Sequence, residues 1–260
     1  MFTRTTGIPF LAAVWVAAAG FSNPAHAVLQ GRDLNGSAGS FEAYYDTVLN
    51  ITWLADANYA KTSSYDADGL MTWAAANTWA ANLSFYDAVN NITYDNWRLP
   101  TVNPVNGTSF NNTFSNNGST DFGYNVSEQG TAFAGSTGSE MAYMFYNTLN
   151  NKGYCDPTLS TASTCSGPQA GWGLQNSGPF THVVPLNGYW SGTEYAPNTS
   201  LALNFGMNFG TQSRFDKTYD GYYAWAVSPG DVAAVPEPEA WGLMLSGLAL
   251  VGAVARRRRG

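Results

Sequence analysis

The chain of 260 residues is 45% apolar and 15% aromatic, which excludes wholesale disorder, and only 11% charged. Residues 28–235 carry six Lys and Arg against sixteen Asp and Glu. That balance excludes nucleic acid, which is held by basic side chains that neutralise phosphates, and it argues against sulfated polysaccharide. A low-charge surface rich in Gly, Asn, Ser and Thr suits a protein outside the cytoplasm.

Residues 1–27 read as a secretory signal peptide. Arg4 gives a positive start, the stretch 10–21 is apolar or small throughout, and Ala25-His26-Ala27 offers a small-x-small site with cleavage after Ala27. An N-terminal anchor is the alternative, and the short apolar run argues against it. Residues 28–40 are Gly-rich and predict a flexible lead-in to a domain spanning 41–230.

Within the domain, residues 41–46 and 51–54 are aromatic or β-branched runs separated by Asn50 and predict a strand pair. Asp68 predicts the cap of a helix over 70–83, whose apolar residues recur near the helical period. Residues 101–138 predict a long ordered loop, because the phenylalanines among its Asn, Gly, Ser and Thr need burial. Ser139 predicts the cap of a second helix over 140–151, with Gly153 as its stop.

The stretch 152–187 is again irregular and holds Cys155 and Cys165. In an oxidising compartment they predict one disulfide tying a surface loop, worth about 3 kcal/mol in the chain-entropy account. Zinc is the weaker reading, since His182 is the one histidine beyond residue 27. Residues 201–209 alternate strictly and give the clearest strand pattern, and 222–227 predict a last strand ending before Pro229. No repeat at a solenoid period is evident.

At the C-terminus, residues 240–255 contain no charge and are followed by Arg256, Arg257, Arg258 and Arg259. Sixteen helical residues span roughly 24 Å, short of a hydrocarbon core of about 30 Å, a mismatch that bilayer thinning and arginine snorkelling absorb. The arginines stay cytoplasmic, so the body lies across the inner membrane. Just before this segment stands Val235-Pro236-Glu237-Pro238. Pro-Glu-Pro, a short apolar helix and terminal arginines, in that order over 235–260, resemble the PEP-CTERM sorting tail, which sets a tail region at 231–260. The resemblance implies an exosortase-type processing enzyme as partner. It also implies a membrane-anchored precursor, and a final place on the surface or in the exopolysaccharide matrix of a Gram-negative bacterium. An ordinary tail anchor after a Pro-rich linker is the alternative.

The body carries further landmarks. Tyr45-Asp46 leads to Ile51-Thr52-Trp53-Leu54, and Met71-Thr72-Trp73-Ala74 follows. Then come Trp97-Arg98-Leu99-Pro100-Thr101, Tyr189-Trp190-Ser191-Gly192-Thr193 and Ala224-Trp225-Ala226-Val227. This order resembles the DUF1566 family over residues 42–228. The resemblance implies an α+β, C-type-lectin-like domain with two helices, short antiparallel sheets, long loops and neighbouring termini. The long inserts at 102–138 and 152–187 depart from shorter relatives.

Catalytic chemistry has little support in the sequence. His182 lacks a nucleophile-elbow pattern nearby, and no pair among the sixteen acids stands out as a glycosidase dyad. No cofactor is expected. Calcium is the open question, because Asp66, Asp68 and Asp220 are turn-forming acids, though neither turn extends into a calcium-hand loop. The sugar-binding triplets of C-type lectins are absent, and Glu194-Tyr195-Ala196-Pro197-Asn198 is a loose echo. Trp53, Trp73, Trp97, Trp190 and Trp225 read as core. Arg98 reads as half of a partly buried ion pair that fixes the loop after Leu99-Pro100. Phe110, Tyr124, Trp172 and Tyr195 have the chemistry to stack on sugar rings. The functional expectation is a non-enzymatic surface or matrix protein binding carbohydrate or protein ligands. A purely structural matrix component and a polysaccharide-acting enzyme are the alternatives.

Overall fold

The structure, a computed structural model, describes residues 27–36 and 40–232. Ala25, Val235, Pro236, Glu237, Pro238, the apolar stretch 240–255 and Arg256, Arg257, Arg258 and Arg259 lie outside the described residues. Among the described residues no helix is long and apolar enough to cross a membrane.

The elements mix few helices with antiparallel sheets. The first sheet has the order β1-β2-β3-β11, made of Leu29–Arg32, Ala43–Asp46, Ile51–Leu54 and Val227–Pro229. Because β1 pairs with β2 along its whole length, the body begins before residue 41, and the lead-in is partly strand. Arg32 closes it: Nε and Nη2 donate to the two carboxylate oxygens of Asp231 at 2.6 and 2.7 Å. The entrance to the body and the last described turn are thus held side by side. The final strand is Val227–Pro229 rather than 222–227, since Tyr222 and Tyr223 are drawn into single bridges with Met71 and Tyr189. Pro229 is tolerated because β11 is an edge strand.

The second sheet has the order β6-β7-β10-β9-β8, where β6 is Phe114–Ser115, β7 Phe122–Tyr124, β8 Gly188–Glu194, β9 Leu201–Gly206 and β10 Thr211–Asp216. Two of these strands come from the insert 102–138, read from composition as a loop. Strand β9 lies between β10 and β8, and Ala202 and Asn204 are buried along with Leu203 and Phe205, so its alternation does not mark a wet face.

Helix α1 is Tyr59–Thr62 and α2 is Trp73–Ala81. The α2 cap is Thr72, whose hydroxyl accepts from the Ala75 amide, and not Asp68. Met71 is held in its bridge to Tyr222, while the Asp68 carboxylate accepts from the Leu70 amide, so the helix cannot start earlier. Ser139 caps α3, Glu140–Tyr143, which continues as a π-helical turn, Met144–Thr148. Asn150, at φ 54°, stops that helix, three residues before the expected Gly153.

A second hairpin, β4 (Phe85–Asp87) with β5 (Ile92–Tyr94), repeats the first in sequence and geometry. Tyr45-Asp46 and Tyr86-Asp87 are each followed by Asn-Ile-Thr at the same offset. In both hairpins the Asp accepts from two turn amides, the Tyr hydroxyl donates to the Asn, and that Asn has φ above 50°. The first copy is built into the four-stranded sheet, and the second forms a separate two-stranded sheet with Ile92 exposed.

The landmark blocks converge in one core. Arg98 and Val227 exchange backbone hydrogen bonds, and the Gly192 amide donates to Pro100. The Thr193 hydroxyl accepts from the Val102 amide. Trp53, Trp190 and Trp225 are fully buried, with Trp190 Nε1 donating to Met71 and Trp225 Nε1 to Leu54. Arg98 pairs bidentately with Glu140 at 2.7 and 2.8 Å, and the same carboxylate accepts from the Thr101 amide. That arrangement anchors the chain after Leu99-Pro100 to the start of α3. Cys155 and Cys165 are disulfide-bonded.

Candidate functional site

A cavity of about 490 Å³ opens between the first sheet, α1, the second hairpin and the segment after Pro179. Four aromatic rings line it. Phe41 is 54% exposed, Tyr44 stacks edge-on against buried Phe180, and Tyr59 lies 5.5 Å from Phe85. Leu54 forms the floor, being the buried end of β3.

Two carboxylates stand among these rings, Glu42 and Asp56. Glu42 accepts from the Leu34 amide with one oxygen and from the Ser40 hydroxyl with the other. Asp56 lies two residues past the end of β3, accepts from the Asn58 amide and meets His182 Nδ1 at 2.9 Å. The segment carrying His182 is stitched alongside, with Thr181 donating to Ala55 and accepting from Ala57 through backbone groups. Phe180, buried against Trp225 at 4.8 Å, is the anchor that sets Thr181 in the cavity wall, with His182 next to it on Asp56. His182 holds φ 54°, an unusual conformation for a side-chain-bearing residue, and its ring is mostly exposed.

The cavity therefore combines ring faces, carboxylate acceptors and a rim histidine, the features of a site that holds a polar ligand with one apolar face. Its lining residues come from four separated stretches, and none of them is singled out by the sequence as a site; His182, which is, reaches the cavity only through its contact with Asp56. Asp56 carries the one signal legible in the sequence, a carboxylate two residues past an apolar strand.

The aromatic residues named from the inserts lie elsewhere. Phe110 and Tyr195 line a smaller cavity of about 120 Å³ with Glu194 and Leu203. The Arg214 guanidinium sits between the Tyr195 and Phe122 rings at 4.5 and 4.2 Å. Tyr124 and Trp172 both contact Tyr154, in a row of rings that joins the two inserts. Asp66 and Asp68 accept hydrogen bonds from local backbone amides, as turn-closing acids do. Among the described residues no group of three or more His, Cys, Asp or Glu converges to hold a metal.

A second polar centre is buried between the inserts. Glu128 accepts from the Gln169 side chain at 3.0 Å and the Gly153 amide at 3.2 Å. Burial pushes its carboxyl up to about 7, with Asp156 adding to the rise and the Gln169 and Gly153 bonds and Lys152 opposing it. Asn125 Oδ1, buried without a conventional hydrogen-bond partner, Tyr146 Oη and Glu128 Oε2 all close on Gly153, where a Cβ would lie 2.2–2.9 Å from them. Gly153 is thus required by close approach, whereas its predicted task as helix stop falls to Asn150. The Tyr146 hydroxyl, itself raised well above its usual value by burial, donates to the Gly210 carbonyl.

No curated protein and no solved structure matches the chain. Residues 234–259 match the family model described as the PEP-CTERM protein-sorting motif, which indicates an exported protein, anchored in the membrane until exosortase processes it.

Proposed function

We propose that the chain is the precursor of a surface or extracellular-matrix protein of a Gram-negative, exopolysaccharide-producing bacterium, and that its body binds carbohydrate in that polymer without catalysis. Signal peptidase acts after Ala27, the apolar segment 240–255 and Arg256, Arg257, Arg258 and Arg259 hold the precursor in the inner membrane, and exosortase reads Val235, Pro236, Glu237 and Pro238. The body is read as a DUF1566-type, C-type-lectin-like domain without a required cofactor. The convergence of its sequence blocks in one core and the Arg32–Asp231 closure of its ends support that reading.

The observation that carries ligand binding is the cavity: a space of about 490 Å³ takes one or two sugar rings, with aromatic faces for their CH surfaces and carboxylates for their hydroxyls. It also favours a ligand-binding body over a purely structural component. The processed protein, recovered from outside the cells, is expected to bind a subset of glycans on an array, and Tyr59→Ala is expected to weaken that binding by tenfold or more. An array without any signal above background would sink the carbohydrate reading. One observation favours a polysaccharide-cleaving enzyme, the Asp56–His182 pair at the rim, since a carboxylate on Nδ1 orients an imidazole as a base. Shortening of extracellular polymer by the same protein, abolished by His182→Ala, would carry that second reading.

A further inference from the structure

We propose that the cavity selects an amine-bearing sugar, a hexosamine unit whose nitrogen is free and protonated. The proposal rests on the reading of this cavity as a glycan site and names the class of sugar it takes.

Charge is the first argument. Glu42 and Asp56 line the cavity, and neither a lysine nor an arginine is among its lining residues within the described chain. Among the described residues each of their four carboxylate oxygens has one hydrogen-bonded partner, from Leu34, Ser40, Asn58 or His182. A carboxylate oxygen accepts two hydrogen bonds, so each retains a lone pair for a ligand. An ammonium group is a three-donor cation and satisfies such acceptors with charge-assisted bonds, which are stronger than those of a neutral hydroxyl or amide.

The walls supply the second argument. Tyr44, Tyr59, Phe85 and exposed Phe41 present π-systems whose faces attract a cation and also cover the CH face of a pyranose. A free amine on a sugar ring uses both properties at once. A uronate or sulfated sugar would bring its charge against Glu42 and Asp56, in a body where acids outnumber bases sixteen to six between residues 28 and 235.

The test is calorimetry on the processed protein with three probes at one pH: a glucosamine tetramer, its fully N-acetylated counterpart and a galacturonate tetramer. The glucosamine tetramer is expected to bind about tenfold more tightly than the acetylated one, a margin that shrinks at high salt, and galacturonate to bind weakest. Asp56→Asn and Glu42→Gln are each expected to erase most of that margin, with melting curves checked for intact folding. Phe41→Ala, at an exposed ring, is expected to weaken both neutral and amine sugars alike. If the acetylated tetramer binds equally well or better, and Phe41→Ala weakens it, the amine proposal falls while the glycan reading stands. If none of the three sugars binds, both fall. Tighter binding of a blocked lysine amide than of the glucosamine tetramer would also overturn the proposal, by making a peptide the occupant.

Discussion

Trp225→Ala is expected to lower the free energy of unfolding by about 3–5 kcal/mol in a urea titration. Trp225 is fully buried and packs on Trp53, Phe180 and Tyr189, and its Nε1 donates to the Leu54 carbonyl. Truncation removes the indole from the point where β3, β8 and the Phe180 segment meet, leaving a cavity and an unpaired carbonyl. A loss of that size is a large part of the roughly 5–15 kcal/mol that holds a typical domain folded. Trp225→Phe keeps most of the packing and loses the hydrogen bond, so about 1–3 kcal/mol is expected. The effect reaches the cavity, because Phe180 bridges Trp225 to Tyr44. An alanine variant within about 1 kcal/mol of the parent would contradict the placement of this residue at the centre of the core.

Stability is expected to be greatest in mildly acidic solution and to fall as the pH rises through 7. Glu128 is the cause. Its carboxyl titrates at about 7 in the folded protein against a reference of 4.5, so the folded state binds the proton more tightly. A raised value contributes stability that is complete below pH 4.5 and lost as pH climbs through 7, about 3 kcal/mol by linkage. Asp66, Asp87, Asp156 and Asp216 have the opposite sign. Hydrogen bonds hold Asp87, Asp156 and Asp216 below the usual 3.8, at Asp66 burial pushes upward and is outweighed by several such bonds together, and the contribution of all four is lost as pH falls under that value. The two trends occupy separate windows and leave a maximum between them. Denaturation midpoints across pH 4 to 9 should show it, and Glu128→Gln should flatten the limb between about pH 5 and 8 while leaving the acid limb unchanged. An identical alkaline limb in parent and variant would show that Glu128 is not its source.

The sequence was informative where chemistry is local. The two cysteines stand ten residues apart in an irregular stretch, and they are bonded. Arg98 is the single charge within an apolar block, and it closes on Glu140. Trp53, Trp97, Trp190 and Trp225 are in the core, because a large apolar ring has few other places to go, whereas Trp73 is half-buried at its edge, where its Nε1 donates to the Ser191 carbonyl. What was not legible depends on partners distant in the chain. Nothing in Asn-, Gly- and Ser-rich composition tells that Phe114–Ser115 and Phe122–Tyr124 will add to a sheet whose other strands begin at Gly188. The start of α2 was misplaced because Met71 is held by Tyr222, a contact with no local trace. The cavity is the extreme case, built from residues near 41, 55, 85 and 180. The repeated hairpin, in contrast, was readable: Tyr-Asp, a three-residue gap and Asn-Ile-Thr occur twice, outside the periods that mark solenoids.

Sorting is the claim on which the rest of the functional account depends, and the intact mass of the protein collected outside the cells tests it most directly. Without reduction, the mass should correspond to a chain beginning at Val28 and lacking the apolar segment 240–255 and the four arginines, and should be two hydrogens lighter for the Cys155–Cys165 bond. Pro236 and Glu237 stand at the centre of the stretch that the processing enzyme is proposed to read. Changing Pro236 and Glu237 to alanine should therefore leave export across the inner membrane intact and trap the uncut chain there. External protein that still ends in Arg256, Arg257, Arg258, Arg259 and Gly260, or a normally shortened chain from the Pro236/Glu237 variant, would contradict the account and reduce the tail to a plain anchor.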